Sequence, residues 1–205
     1  MYRYDNPALQ AMSDSSHNSL DVELAALLTG IGIYDLGWRG FLRCAGRDRV
    51  RWLNGMVTNS VKDLADDTGC YAFVLNAQGR IQGDLDIYRR SGDPDALWLQ
   101  TDRVQIEPLT AFVRRYIIMD QVTLEPQQEW TAIGVAGPHA ADKLAALGLP
   151  VAELSPIHLA EVSWHGVQVI VVAAYSPLIP RYEIWMESKA VLDVWNALTS
   201  SGAVS

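Results

Sequence analysis

The chain has 205 residues, of which 49% are hydrophobic and 20% are charged, and this composition excludes a disordered or fibrous protein. The 16 basic and 24 acidic residues give a net charge of −8, which argues against a nucleic-acid partner, since such partners are bound through Lys and Arg. No apolar stretch reaches the roughly 18–20 residues that cross a membrane, and the 2 cysteines are too few for a disulfide framework. We therefore expect a cytoplasmic protein with neither a nucleic-acid nor a membrane partner.

Periodicity in the sequence predicts an irregular start followed by alternating strands and helices. Residues 1–20 are polar without any period, and we predict an irregular or disordered N-terminal arm there. Apolar residues spaced three and four apart predict helices over 21–29, from about 47, around 109–117, from 137–138, and over 191–198. Alternating patterns predict strands over 39–45, 70–75, 81–89, 96–101, 122–124, 131–135, 161–164, 167–173 and 182–186.

The order of these elements indicates the fold class. Strands outnumber helices, and short turns join most of them, which favours antiparallel pairing. The sequence therefore predicts an α+β fold with largely antiparallel sheets and flanking helices. Because residues 21–205 contain no linker or low-complexity block, we predict that they form one domain.

The predicted hairpin around residues 76–79 carries an unusual polar position. Asp84 lies inside a strand, where aspartate is disfavoured, and Asp86 follows on the same face. Two interpretations remain open: this face is solvated, or Asp84 is aimed into a cleft where its carboxylate accepts hydrogen bonds from a ligand. If residues 76–79 form a four-residue loop, the antiparallel register places Tyr71 opposite Asp84. A phenol beside a carboxylate would suit a ligand that contains a ring.

Common catalytic motifs are absent from the sequence. It contains no Gly-x-Ser-x-Gly elbow, no phosphate-binding loop and no His-Glu-x-x-His zinc motif. The histidines are spaced too irregularly to indicate a metal cluster, and we predict no metal site. They are His17, His139, His158 and His165.

Two longer stretches carry more specific motifs. In the first, a strand ends in Gly46-Arg-Asp48 and a helix runs into Leu53-Asn-Gly-Met-Val-Thr-Asn59. In the second, Tyr71 precedes Leu75-Asn-Ala-Gln-Gly-Arg-Ile81, which is followed by Asp84-Leu-Asp-Ile-Tyr88. In this order, the two stretches resemble the opening motifs of the glycine-cleavage T-protein superfamily.

The resemblance covers about residues 25–205. The helix start at Gly137-Pro138 and the closing helix around Trp195 are further, weaker matches to the same family. Membership implies a folate-binding domain with the fold of aminomethyltransferases. The implied cofactor is tetrahydrofolate or a one-carbon-substituted form of it.

The resemblance also implies roles for individual residues. In the T-protein, the aspartate that matches Asp84 lies against the pterin and is essential for aminomethyl transfer, so Asp84 is the implied catalytic and cofactor-binding residue. The tyrosine that matches Tyr71 lines the same site. By a looser alignment, an asparagine that contacts the folate falls near Thr101. Tyr71, Asp84 and Thr101 are thus the implied cofactor-binding residues.

Departures from the T-protein pattern bear on the expected function. The Asp-Asp pair of T-proteins is here Gly83-Asp84, and residues 173–183 contain no Gly-Glu to supply a glutamate to the pterin. The sequence Pro180-Arg-Tyr-Glu183 is closer to the YgfZ-like branch, which comprises folate-binding proteins linked to the maintenance of iron–sulfur enzymes. Residues 21–205 do not reach the Lys-Gly-Cys-Tyr-x-Gly-Gln motif of that branch, and we expect the domain to be incomplete at its C-terminal end.

The resemblance leaves three functions open. The first is a tetrahydrofolate-binding protein of the YgfZ-like type that supports iron–sulfur protein assembly or maintenance, with folate and iron–sulfur proteins as partners. The second is an aminomethyltransferase-type enzyme that moves a one-carbon unit to tetrahydrofolate. The third is an interaction domain that keeps the fold without a ligand. We expect the first, because residues 180–183 replace the Gly-Glu that a transferase would need.

Overall fold

The computed structural model describes residues 20–152 and 154–204. The arm predicted over 1–20 therefore lies outside the described residues, except for Leu20, which starts the first helix. The described residues divide into two compact units: residues 20–38, 129–152 and 154–204 form one, and Arg39–Gln128 form the other. In the described part of the chain, no helix is both long and apolar enough to cross a membrane.

Groups of two or three strands are separated by helices along the described chain, and all pairings between the strands are antiparallel. In chain order the elements are α1 (Leu20–Thr29), β1 (Gly32–Asp35), β2 (Arg39–Ala45), α2 (Arg49–Met56), β3 (Thr68–Leu75), β4 (Ile81–Arg89), β5 (Ala96–Asp102), α3 (Arg103–Arg114), β6 (Thr123–Pro126), β7 (Trp130–Ala136), α4 (Ala140–Ala146), β8 (Leu159–Trp164), β9 (Val167–Ala173), β10 (Arg181–Glu187) and α5 (Val191–Ser200). The predicted α+β class with antiparallel sheets and flanking helices is confirmed.

The unit formed by Arg39–Gln128 is built on a sheet with the strand order β3-β4-β5-β2-β6. Alternate residues of each strand form its core face, where one stripe of α3 and two residues of α2 pack against them. The buried members of this core include Leu42, Cys44, Trp52, Leu53, Ala72, Val74, Leu85, Ile87, Leu97, Leu99, Ile106, Leu109 and Val113. Alternation therefore places Asp84 and Asp86 on the opposite face of the sheet.

The other unit is built on a sheet with the strand order β1-β7-β10-β9-β8. Its core joins one face of the sheet to α4 and α5, and its fully buried members include Ile133, Val135, Leu144, Val169, Val171, Ile184, Met186, Val191 and Leu198. At the edge, the backbone N–H of Ile33 donates to the Val204 carbonyl at 2.7 Å. The Val204 N–H in turn donates to the Ile31 carbonyl at 3.0 Å, so the segment after α5 extends this edge.

Two differences from the prediction have a clear physical reason. The strand β1 was not expected, because Gly30 and Gly32 have the character of a helix stop. The helix α3 ends at Arg114, although its apolar pattern continues to Ile117. Beyond Arg114 the chain continues in tighter turns, in which Ile117 N–H donates to the Arg114 carbonyl at 3.1 Å.

Candidate functional site

The hairpin of β3 and β4 turns around Asn76. The Asn76 N–H donates to the Arg80 carbonyl at 2.9 Å, and Asn76 Oδ1 accepts the Arg80 N–H at 2.9 Å. Gly79 has a φ of +75°, which glycine adopts without the steric cost that a side chain would bring. The loop therefore spans residues 76–80, one residue more than the predicted 76–79.

The predicted register of this hairpin is wrong by two positions. In addition to the longer loop, Gln82 is skipped by the ladder as a β-bulge. Tyr71 consequently pairs with Asp86, and Phe73 pairs with Asp84. Because the shift is an even number of residues, all four paired side chains still share the face opposite the core.

Tyr71 and Asp84 are nevertheless in contact, as the sequence interpretation required. The Tyr71 hydroxyl donates a hydrogen bond to Asp84 Oδ2 at 3.0 Å, diagonally across the two strands. The Phe73 ring meets the Tyr71 ring edge to face, with the ring centroids 5.2 Å apart and the planes at 77°. Tyr71 is 43% exposed, so this corner of the hairpin combines an accessible phenol with a half-buried carboxylate.

The surroundings raise the pKa of the Tyr71 phenol above its usual value of 10.0. Partial burial is the largest cause, followed by the hydrogen bond to Asp84 and then by the negative charges of Asp84 and Asp86. The positive charge of Arg39 acts in the opposite direction. The phenol is therefore protonated at neutral pH and acts there as a hydrogen-bond donor.

Arg39 is the cation of this face that lies beside Asp86. Its Nη2 donates to Asp86 Oδ2 at 2.6 Å and to Gln100 Oε1 at 3.0 Å, and its Nη1 lies 3.5 Å from Asp102 Oδ1. The Arg39 side chain is only 12% exposed. One guanidinium thus connects β2, β4 and β5 beside the Tyr71 corner.

The structure does not bring Thr101 to the same face as Tyr71. Along β5, Thr101 alternates with Gln100 and Asp102, and it shares the face of the buried Leu99. Its hydroxyl oxygen is buried and has no hydrogen-bond partner in the structure. The β5 residues beside Arg39 are Gln100 and Asp102. The sequence interpretation missed them, although alternation along β5 places both on the face opposite that of Thr101.

A cleft of about 370 Å³ borders the start of β4. Asp84 and Gly83 form one wall, and α3 forms the other. The contact of α3 with Gly83 is close, because a side-chain Cβ built there would lie 2.9 Å from Gln105 Oε1. The remaining lining residues are Ile81, Gln82, Pro108, Leu109 and Phe112. The lining thus mixes polar with apolar residues, and the cleft lies between β4 and α3.

The segment that replaces the Gly-Glu stretch of T-proteins ends in a buried carboxylate. Glu183 lies in β10 and is 6% exposed. It accepts hydrogen bonds from Trp185 Nε1 at 3.0 Å and from Arg181 Nη2 at 3.4 Å. Its carboxylate is thus held by residues of its own strand.

Comparison with known proteins decides the family. Residues 2–205 match the family described as the GCVT N-terminal domain, a range that includes both sequence motifs and the hairpin that carries Asp84. The chain belongs to this family. The resemblance to the T-protein superfamily is therefore confirmed, while the comparisons do not separate the YgfZ-like branch from aminomethyltransferases.

Several curated relatives of the chain are named aminomethyltransferases. The chain is 25% identical over 191 residues to the aminomethyltransferase of Thermotoga petrophila, which covers 89% of this chain and 50% of that protein. It is 27% identical over 189 residues to the aminomethyltransferase of Exiguobacterium sibiricum, covering 91% and 52%. The chain thus spans about half the length of the curated relatives that it matches.

A solved structure has a similar fold. The glycine cleavage system aminomethyltransferase T of Bartonella henselae superposes with a TM-score of 0.79 at 17% sequence identity. The match covers 90% of this chain and 49% of that one. This agreement extends to the α+β class and the two antiparallel sheets.

Proposed function

We propose that this chain is a tetrahydrofolate-binding protein of the YgfZ-like type that acts in the cytoplasm in support of iron–sulfur protein assembly or maintenance. The hydrogen bond between the Tyr71 hydroxyl and Asp84 Oδ2 is the observation that carries the folate-binding part of the proposal. It joins, at one accessible corner, the two residues that the family motif assigns to the ligand. Family membership and the names of the relatives support the same cofactor.

The residues of this corner suit a reduced pterin. Such a ring presents several N–H donors, and the Asp84 carboxylate is a hydrogen-bond acceptor in a residue that borders the cleft beside α3. The aromatic rings of Tyr71 and Phe73 offer flat surfaces beside it. When bound, tetrahydrofolate would carry a one-carbon unit on its ring nitrogens. Thr101 is kept in the proposal only as the β5 position that matches the asparagine of the family.

One feature favours the YgfZ-like role over group transfer. Residues 173–183 lack the Gly-Glu of T-proteins, and the glutamate that is present, Glu183, is buried and held by Trp185 and Arg181. A transferase that uses a glutamate against the pterin would need a side chain free to reach it. A Lys-Gly-Cys-Tyr motif in the same polypeptide would further support this role, with iron–sulfur proteins as partners.

The names of the relatives favour aminomethyl transfer as the second candidate. In that case, Asp84 would position the attacking folate nitrogen and stabilise the charge that develops on it. A glycine-cleavage assay with the lipoyl carrier protein separates the two candidates. Turnover above background that is lost in Asp84→Asn would establish the transferase, and activity at background would exclude it.

Titration calorimetry with tetrahydrofolate under anaerobic conditions tests the folate site itself. The wild-type chain should bind, and Asp84→Asn should weaken binding by about tenfold or more, because hydrogen bonds to charged groups contribute about 1.5–3 kcal/mol. Asp63→Asn, at an exposed loop position of the same unit, is the matched control and should leave the affinity unchanged. No heat from the wild type and no effect of Asp84→Asn would favour the third candidate, a domain that keeps the fold without a ligand.

A further inference from the structure

The Tyr71 hydroxyl bonds to a carboxylate that is not its direct neighbour. In the ladder, Tyr71 pairs with Asp86, whereas Asp84 pairs with Phe73. A side chain as long as tyrosine reaches both the directly opposite and the diagonal position, so Asp86 and Asp84 are both candidate acceptors for the phenol. The hydroxyl donates to Asp84 Oδ2 at 3.0 Å.

Arg39 accounts for this choice. Its Nη2 lies 2.6 Å from Asp86 Oδ2, and the Asp86 side chain is 26% exposed. A charge-assisted bond of this length holds Asp86 toward β2, on the side away from β3. The same nitrogen also donates to Gln100 Oε1 at 3.0 Å, and Gln100 is 1% exposed, so the guanidinium is itself fixed in place.

We propose that Arg39 is a positioning residue of the ligand site, which holds Asp86 and thereby directs the Tyr71 hydroxyl to Asp84. That the Tyr71–Asp84 pair binds a reduced folate rests on the function proposed above. The orientation of the pair by Arg39 does not depend on it. Arg39 acts through Asp86 and Tyr71, and it needs no contact with the ligand.

The arrangement of carboxylates on this face explains why an arginine is needed at position 39. Asp84, Asp86 and Asp102 are three carboxylates on neighbouring strands, and the Arg39 guanidinium lies within 3.5 Å of two of them. Without that cation, Asp86 and Asp84 would compete for the single Tyr71 proton. Lysine cannot replace it fully, because a single ammonium lacks the fork that reaches Asp86, Gln100 and Asp102 together.

A double-mutant cycle in the full chain tests the proposal by calorimetry with tetrahydrofolate. Arg39→Met should weaken binding by about fivefold to tenfold, the effect of one hydrogen bond. In a Tyr71→Phe background the same substitution should change the affinity by less than about twofold, because no hydroxyl remains to be oriented. Equal losses in both backgrounds would overturn the proposal, since they would mean that Arg39 acts on the ligand or on the fold.

A second measurement needs no ligand. The ionisation of Tyr71 is measured from the tyrosinate absorbance. The signal of Tyr71 alone is the difference between each variant and the same variant that also carries Tyr71→Phe. Arg39→Met should raise the pKa of Tyr71 further, both because the positive charge of Arg39 is lost and because Asp86 is released toward the phenol. Arg39→Lys keeps the charge and isolates the second cause, so it should still raise the pKa, and adding Asp86→Asn should reverse that rise. An unchanged pKa in Arg39→Met would overturn the proposal. If Arg39→Met does not fold by circular dichroism, Arg39→Lys should show a smaller shift of the same sign, and no shift in Arg39→Lys would overturn the proposal.

The two measurements also separate this proposal from the proposed function. If the wild-type chain gives no heat with tetrahydrofolate but the pKa of Tyr71 shifts as described, the folate function fails and the role of Arg39 stands. If tetrahydrofolate binds through Asp84 but neither the cycle nor the pKa responds to Arg39, the positioning role fails and the folate function stands.

Discussion

Asp48 and Gln121 hold each other by two hydrogen bonds. The Gln121 N–H donates to Asp48 Oδ2 at 2.8 Å, and the Asp48 N–H donates to the Gln121 carbonyl at 3.2 Å. The same carbonyl lies against Gly46, where a side-chain Cβ would approach it to 2.2 Å. The Gly-x-Asp motif that identified the family thus fastens the corner between β2 and α2 to the chain before β6. Its role in this chain is structural.

Gly46→Ala should destabilise the protein strongly. Gly46 has a φ of +106°, which side chains rarely adopt, and the new Cβ would collide with backbone at Gln121. We expect a loss of about 3 kcal/mol or more in the free energy of unfolding, measured with urea. Gly79→Ala is the control: its φ of +75° is also positive, but no atom lies within 4 Å of the new Cβ. Its loss should be about 1–2 kcal/mol, and equal losses at both sites would contradict the close contact with Gln121.

The stability of this corner should depend on acid through Asp48. The N–H of Gln121 is the largest cause that lowers the pKa of Asp48 below its usual value of 3.8, and Arg47 and Arg51 add to it. The folded state therefore binds the proton less readily than the unfolded state does. The stabilisation is complete above pH 3.8 and is lost as the pH falls through the lower folded-state pKa.

Thermal unfolding between pH 7 and pH 2 measures this contribution. Asp48→Ala should lower the Tm at neutral pH, and its difference from the wild type should shrink at the acid end. Asp63→Ala, at an exposed position, should follow the wild type throughout. A difference between Asp48→Ala and the wild type that stays constant with pH would assign the effect to packing and not to the charge.

The two cysteines should differ in reactivity. Cys44 is fully buried in the core of its unit, and burial raises the pKa of its thiol to about 12. Partial burial, together with the charge of Asp86, raises the pKa of Cys70 by less. Because the thiolate is the reactive form, an aromatic disulfide reagent at pH 8 should modify Cys70 slowly and leave Cys44 untouched. Both should react in urea, and Cys70→Ser should abolish the native reaction. Two rapidly reacting thiols in the native protein would contradict the burial of Cys44.

Elements with one buried face could be predicted from the sequence, and those held by distant partners could not. The strand 39–45 has the predicted limits, because its alternation reflects a sheet with one core face. The strand β1 has only four residues and begins at a glycine. It is held in place by β7 and by Val204, which the local sequence does not reveal.

The same distinction applies to the candidate site. Side chains alternate between the two faces of a strand, so Tyr71 and Asp84 are expected to share a face. This expectation holds whenever the register shifts by an even number of residues. The bulge at Gln82 has no sequence signal, so the predicted pairing was wrong. The ion pair of Arg39 with Asp86 spans 47 positions in the sequence and depends on the strand order β4-β5-β2. It could be identified only from the fold.

Phe73 should matter for ligand binding although the sequence interpretation assigned it no role. It pairs directly with Asp84, and its ring meets the Tyr71 ring edge to face at 5.2 Å. Such pairs contribute about 0.5–1.5 kcal/mol beyond the area they bury, so Phe73→Leu should weaken tetrahydrofolate binding by roughly twofold to tenfold.

The prediction for Phe73 is distinguished from a general loss of stability by two comparisons. Tyr175→Leu removes an exposed aromatic ring from the other unit and should leave both affinity and stability unchanged. In a Tyr71→Phe background, Phe73→Leu should still weaken binding, because the ring contact remains when the hydroxyl is gone. Arg39→Met should have almost no effect in that background. Opposite behaviour of Arg39 and Phe73 would therefore show that one orients the hydroxyl and the other supports the ring. If both effects persist in the Tyr71→Phe background, neither residue acts through the hydroxyl, and if both vanish, both residues do.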